Sequence, residues 1–145
     1  MSKLFESYGF LTGKIVQLIE EDFIEKLKSF DIDARQYGML VKVFESPNMS
    51  QIQIAEELKI DRTTMAERAE QLESLNYITR VKNPQDKRTY CLNITKQGIE
   101  LVESYWKLLK QSESKILSPL SDEEKEIFKN YLLKIYNTWK GNTNE

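Results

Sequence analysis

The chain contains no histidine and a single cysteine among its 145 residues. Without histidine the commonest general base is missing, a Ser-His-Asp triad is excluded, and the nitrogen and sulfur donors for zinc shrink to almost nothing. The lone Cys91 rules out an internal disulfide framework and fits a reducing cytoplasm. With no resolving cysteine in the chain, packing in a strand is its expected role rather than redox sensing. No apolar run approaches the length needed to cross a bilayer, and Glu6 interrupts the opening stretch before a secretory signal could form. Internal repeats and low-complexity stretches are missing as well. These absences point away from an enzyme, a membrane protein, and any metal or cofactor.

Apolar residues make up 40% and charged residues 30%, the balance of a soluble, helix-rich globule. The length suits one domain, or one small domain with dimerising extensions. Net charge is −2, but it is unevenly spread. Residues 1–58 carry a balance of −4 and residues 97–145 of −1, whereas residues 59–96 carry +3. That positive stretch holds Lys59, Arg62, Arg68, Arg80, Lys82, Lys87, Arg88 and Lys96. Attraction to phosphate is screened beyond roughly 8–10 Å, so a local excess outweighs the total.

From Ser2 to Phe30 the sequence predicts one long helix. Leu4, Tyr8, Leu11, Ile15 and Leu18 recur at alternating four and three residues, a seam for another helix, and Phe23, Ile24, Leu27 and Phe30 broaden it. Asp33 with Gln36 reads as a capping box opening a second helix, whose Tyr37, Leu40, Val41 and Phe44 share one face expected to be buried. Ser46-Pro47-Asn48 stops it. Near the other end, Thr95 caps a helix with Ile99, Val102, Trp106, Leu109 and Ile116 in one stripe, and Ser118-Pro119 breaks it. Ser121 with Glu124 caps a last helix striped by Phe128, Leu132, Ile135 and Trp139; the tail from Gly141 to Glu145 is expected to fray.

Between these ends lies SQIQIAEELKIDRTTMAERAEQLESLNYITRVKNPQDKRTYCLNITKQG, from Ser50 to Gly98. Ser50 and Gln53 make another capping box, and Ile54, Ala55 and Leu58 form the inner face of a short helix. Lys59-Ile60-Asp61 is a tight link in which Asp61 caps the next helix. That helix runs to about Leu75 with Met65, Ala69 and Leu72 inward, and Asn76 suits the left-handed residue that ends it. Tyr77–Val81 and Thr89–Ile94 alternate and favour β-branched or aromatic residues, so each reads as a strand. The polar Lys82–Arg88 between them is too long for a two-residue turn and reads as a wing. Helix, turn, helix and basic hairpin in this order make a winged helix-turn-helix. The fold expected is therefore mainly α with a small β-hairpin wing, flanked by long terminal helices. Its DNA-binding domain would span residues 31–96, and residues 1–30 with 97–145 would form a helical dimerisation region.

In this setting Asp86-Lys87-Arg88, followed by Ile94-Thr95-Lys96-Gln97-Gly98, resembles the signature of the MarR family of bacterial transcription regulators. That signature is an acidic-x-Arg wing and then a Leu-Thr-x-x-Gly helix start. The resemblance extends more loosely over nearly the whole chain. It implies a homodimeric, sequence-specific DNA-binding regulator, a repressor released by a small aromatic or anionic ligand bound between the dimerising and reading parts. It also implies that Arg88 enters the minor groove while Asp86 orients it.

Helical geometry places Thr63, Glu67 and Gln71 opposite the inward face, flanked by Thr64 and Ala66; these are the candidates for base edges. Arg62 and Arg68 are candidates for phosphates or bases near the groove walls, with Lys82, Lys87 and Arg88 along the wing. The family often places a Thr-Arg pair and an apolar residue where Ala66-Glu67-Arg68 stands, so its base contacts do not carry over directly. Tyr8, Phe10, Tyr37 and Trp106, with Lys14 as cation, are the candidates for an effector pocket, set against a plain core role for the aromatic rings. The alternative function is a winged-helix protein-interaction module that does not read DNA.

Overall fold

Side-chain caps fix where the helices begin. A computed structural model describes residues 2–28 and 31–140; Phe30 and the tail 141–145 lie outside the described residues. Asp33 Oδ1 accepts from the Gln36 N–H at 2.8 Å while Gln36 Oε1 accepts from the Asp33 N–H at 2.9 Å. This reciprocal pair satisfies two donors that a helix start leaves open, and α2 (Ala34–Glu45) begins there. Ser50 and Gln53 open α3 (Gln51–Leu58) in the same way. Asp61 caps α4 (Arg62–Ser74). Ser121 and Glu124 exchange the corresponding bonds at the start of α6 (Asp122–Lys140). Lys59 and Asn76 close α3 and α4 with positive φ of 55° and 68°, and asparagine tolerates that conformation better than lysine.

The first helix is shorter than periodicity predicts. A 3₁₀ turn, Lys3–Glu6, precedes α1 (Tyr8–Leu27), and the break falls at Ser7, whose extended backbone leaves its hydroxyl to accept from the Phe10 N–H at 3.2 Å. After α2 comes a strand the sequence did not announce, β1 (Met49–Ser50), too short to show alternation. It pairs antiparallel with β3 (Asp86–Ile94), Met49 opposite Leu92 and Ser50 opposite Cys91, and β3 also pairs with β2 (Ile78–Asn83). The sheet order is therefore β1-β3-β2.

The wing is a longer ladder with a tighter turn than the sequence suggests. Its strands run on until only Pro84 and Gln85 remain between them, so the expected long loop is in fact a two-residue turn. Asn83 makes this possible: its Oδ1 accepts from the Gln85 N–H at 3.0 Å, closing the turn locally. The excess residues go into a bulge. Lys82 pairs with Tyr90 but Asn83 pairs with Asp86, so Lys87, Arg88 and Thr89 are extra on one strand.

The chain divides into two compact units, residues 20–109 and residues 1–19 with 110–145. The boundary falls inside α1 and inside α5 (Lys96–Ile116) rather than at their ends. The reason is in the core: Phe23 and Leu27 of α1 and Leu101, Val102 and Tyr105 of α5 pack with Leu40, Val43, Ile54, Met65, Leu72 and Leu92. Phe44 and Trp106, expected on inward stripes, are exposed instead; Met39 and Val43 of α2 and Leu101 and Tyr105 of α5 are buried. Among the described residues no helix is long and apolar enough to cross a membrane.

Gly98 anchors the start of α5. A Cβ there would lie 2.3 Å from the Tyr77 carbonyl oxygen and 2.6 Å from Ile94 Cγ1, so only glycine fits. The neighbouring Thr95 donates its hydroxyl to the Asn76 carbonyl at 2.6 Å and accepts from the Gly98 N–H at 3.0 Å. The Thr-x-x-Gly start thus fastens α5 to the corner between α4 and β2.

Candidate nucleic-acid interface

Outward from the Met65–Ala69–Leu72 face, α4 offers Arg62, Thr63 and Glu67 as exposed side chains, with Arg68 half-buried beside them. Thr64 is less free than helical geometry suggests. Its N–H donates to Asp61 Oδ1 at 2.8 Å and its hydroxyl to Asp61 Oδ2 at 2.9 Å. These bonds, the backbone one first, hold the Asp61 carboxyl below its ordinary range. Thr64 thus serves the cap as well as standing among the candidates for a base contact. Gln71 is half committed: its Oε1 accepts from Gln36 Nε2 of α2 at 2.6 Å, leaving its amide nitrogen for a base. Gln36 was not legible as part of this face, because its bond spans 35 residues.

At the wing, Asp86 and Arg88 meet as the resemblance implies, and they do so through the bulge. Arg88 Nε donates to Asp86 Oδ1 at 3.0 Å and Nη2 to Oδ2 at 3.3 Å, a forked pair. The Arg88 N–H reaches the same Oδ1 at 3.1 Å, and the Thr89 hydroxyl donates to the Asp86 carbonyl at 3.3 Å. These local bonds replace the missing ladder and hold the bulge open. The hydrogen bond from Arg88 keeps the Asp86 carboxyl below its ordinary range, and Asp86 in turn raises Arg88. The Arg88 side chain nevertheless stays 90% exposed. It is tethered at its root and open at its head, which suits insertion into a narrow, electronegative groove. Lys82 and Lys87 are exposed on either side.

Arg80 is one of the charges of the basic stretch 59–96, and the sequence assigns it no particular role. The structure folds it onto Glu73 at 3.0 Å and sets its guanidinium over the Tyr90 ring, 5.1 Å from the ring centre. Seven residues separate Arg80 from Glu73, a spacing with no meaning until helix and strand are placed together.

Residues 32–90 match the sequence model of the MarR family. Over 114 residues the chain is 30% identical to YybA of Bacillus subtilis (strain 168), an HTH-type transcriptional regulator, covering 79% of this chain and 76% of that one. The chain belongs to the MarR family. A transcriptional regulatory protein for the hcr operon of Thauera aromatica is 29% identical over 100 residues, which span 69% of this chain and 60% of that protein. Among solved structures, the S. aureus MepR–DNA complex is 28% identical, with 91% of this chain and 98% of that chain covered at a TM-score of 0.79.

The effector residues expected of a MarR-family chain are not all available to a ligand. Tyr37 is buried in the core, its ring edge-on to Phe23 at 5.5 Å and its hydroxyl donating to the Val102 carbonyl at 2.8 Å. Burial pushes its pKa up to about 12. Tyr8 stands 87% exposed. Phe10 and Lys14 do come together, the ammonium 5.8 Å from the ring centre. Trp106 lines a groove of about 540 Å³ between α2 and α5 with Val41, Phe44 and Val102, and with Glu45, Glu103 and Lys107 as its charged residues. Residues 1–19 and 110–145 hold their own apolar groove of about 630 Å³, lined by Leu11, Ile15, Ile19, Leu117, Phe128 and Leu132 among others.

Proposed function

We propose that this MarR-family transcriptional regulator binds DNA with α4 in the major groove and Arg88 of the wing in the adjacent minor groove. The observation that carries this reading is the tethered but exposed Arg88, forked onto Asp86 at the tip of the wing. The bases would be read by Thr63, Glu67 and the Gln71 amide, with Arg62, Arg68, Lys82 and Lys87 placed for phosphates. Binding as a homodimer to a two-fold symmetric operator is part of this reading, and the apolar stripe that α6 leaves open supports it. No catalytic step is assigned to a chain without histidine, and the buried Cys91 suits a reducing cytoplasm.

The action proposed is repression relieved by a small molecule. The groove between α2 and α5 offers Phe44 and Trp106 as ring faces, but its charges are two carboxylates against one ammonium. A neutral aromatic fits it better than the aromatic anion that the family resemblance suggests. Coupling of about 1–3 kcal/mol would weaken operator binding 5- to 150-fold. The protein-interaction alternative draws on Glu67, an exposed acid on the reading face.

Fluorescence anisotropy on DNA from upstream of the chain's own gene separates the two readings. The DNA-binding reading expects that fragment to be held about 10³-fold or more tighter than random duplex at physiological salt. Equal affinity for both, or none, would favour the interaction module.

A further inference from the structure

Arg80 supplies one of the charges that make residues 59–96 basic, yet the fold pairs it within the chain, half-buried. Its Nη2 and Nε donate to Glu73 Oε1 at 3.0 and 3.1 Å, and its backbone N–H donates to Glu73 Oε2 at 3.2 Å. One carboxylate in the last turn of α4 therefore takes every one of these donors from a single strand residue. The guanidinium also lies 5.1 Å from the ring centre of Tyr90. Tyr90 pairs with Lys82 while Arg80 pairs with Leu92, so Arg80 and Tyr90 are diagonal neighbours across β2 and β3. The recognition helix and both wing strands meet at this one group.

We propose that Glu73, Arg80 and Tyr90 form a positioning clamp that sets the angle between the recognition helix and the wing, so that Arg80 supports operator affinity through geometry rather than charge. This rests on the DNA-binding reading above. From Arg80 to Asn83, β2 extends roughly 10 Å toward the tip. A tilt of about 10–20° at the foot of the wing would move Arg88 by about 2–4 Å, more than a minor-groove contact tolerates. The chemistry fits the task. A guanidinium presents a fixed fork to a carboxylate and a flat face to a ring at the same time, whereas an ammonium can do neither.

The clamp inverts the sign that charge alone would give. Removing an acid from a DNA-reading helix reduces repulsion with phosphate and should strengthen binding. If the clamp operates, Glu73→Gln weakens it.

The test measures binding against salt for the parent, Glu73→Gln, Arg80→Lys, Arg80→Ala and Arg88→Ala, on the upstream fragment, at a temperature where circular dichroism shows each folded. Tyr90→Leu, which removes only the stack, serves where a clamp variant does not fold. The expected result is about tenfold weaker binding for Glu73→Gln, Arg80→Lys and Arg80→Ala, and about threefold for Tyr90→Leu, all with salt lines parallel to the parent's. Arg88→Ala should flatten the line by about one unit, as the loss of a groove contact does. Glu73→Gln binding as tightly as the parent or tighter would overturn the proposal. So would Arg80→Lys keeping full affinity while Arg80→Ala loses both affinity and slope, because Arg80 would then be a phosphate contact. A parent with no preference for the fragment would overturn the DNA-binding reading instead, and the clamp with it.

Discussion

Residues 20–109 and the paired segments 1–19 and 110–145 treat apolar surface in opposite ways. In the first unit Leu40, Val43, Ile54, Leu72 and Leu92 are fully buried, and polar ends such as the Tyr37 hydroxyl are spent on backbone. In the second, α6 has no buried residue among those described; Tyr131 and Trp139 stand 63% and 62% exposed, with Leu132, Ile135 and Tyr136 beside them. A contiguous patch of this kind marks an interaction surface. The contrast separates two tasks. Recognition geometry is completed within one chain, while α6 presents exposed apolar side chains for which a second copy is the partner proposed.

The largest effect should come from breaking that second surface. Ile135→Asp combined with Trp139→Asp puts charges in the middle of the open stripe. Light scattering at micromolar concentration should give twice the 17.1 kDa chain mass for the parent and the chain mass for the variant. Operator affinity should fall about 100-fold or more as the two half-sites uncouple. A monomeric parent would remove the contrast itself, leaving an exposed stripe without a proposed function.

Gly98→Ala probes the completed unit in the same spirit. Its added methyl would meet the Tyr77 carbonyl at 2.3 Å, and that oxygen also accepts the Thr95 N–H at 3.0 Å. The cost expected is about 1–3 kcal/mol, read as a lower urea midpoint with unchanged slope and unchanged oligomeric state. An unaltered midpoint would mean that the corner between α4, β2 and α5 is looser than its packing indicates.

At the wing, Arg88→Ala should weaken operator binding about tenfold and leave assembly unchanged, while the Arg88 N–H and the Thr89 hydroxyl, both still bonded to Asp86, keep the bulge in place. Asp86→Asn should act in the same direction but less, since Asp86 only restrains the arginine. The pH dependence follows from the same pair. Arg88 depresses the Asp86 pKa below its ordinary 3.8, so the restraint is fully present above that value and is lost only as pH falls through the lower one. With no histidine in the chain, no side chain of ordinary pKa titrates between about pH 5 and 8. Operator affinity should therefore stay flat from about pH 6 to 8 at constant salt. A steep change there would point to a perturbed group outside the wing.

Local signals made most of this legible in advance. Asp33 with Gln36, Ser50 with Gln53, Asp61, and Ser121 with Glu124 all cap where their spacing predicts, because a cap is a contact between residues three apart. The Asp86–Arg88 pair was legible for the same reason. What the sequence hid was long-range. β1 is only two residues and exists through its pairing with Leu92 and Cys91. The Arg80–Glu73 and Gln36–Gln71 bonds depend on how α4 meets β2 and α2. Phe44 and Trp106 fit inward stripes by period but lie at the edge of the core, where a hundred-degree step cannot tell flank from centre.

The smallest effect concerns Glu67, an exposed acid on a face otherwise suited to phosphate. Its helical neighbours are Thr63, Thr64, Glu70 and Gln71, and the fold has committed two of them: the Thr64 hydroxyl to Asp61, and the Gln71 Oε1 to Gln36. Among the described residues no ion pair reaches Glu67. Directed at phosphate it would oppose binding; directed into the major groove it can accept from the N4 amino group of cytosine. The hypothesis is that Glu67 lowers affinity for random DNA and favours a cytosine in each half-site. Glu67→Gln should then bind random duplex slightly more tightly and relax one operator position, losing about 1–3 kcal/mol of discrimination there. Because a glutamine can still reach a base edge, overall operator affinity should change less than for any other variant proposed. Binding-site selection from a random pool decides the matter. If parent and variant enrich the same sequences, Glu67 is solvated surface, and specificity rests on Thr63, the Gln71 amide and the shape of the duplex beneath the wing.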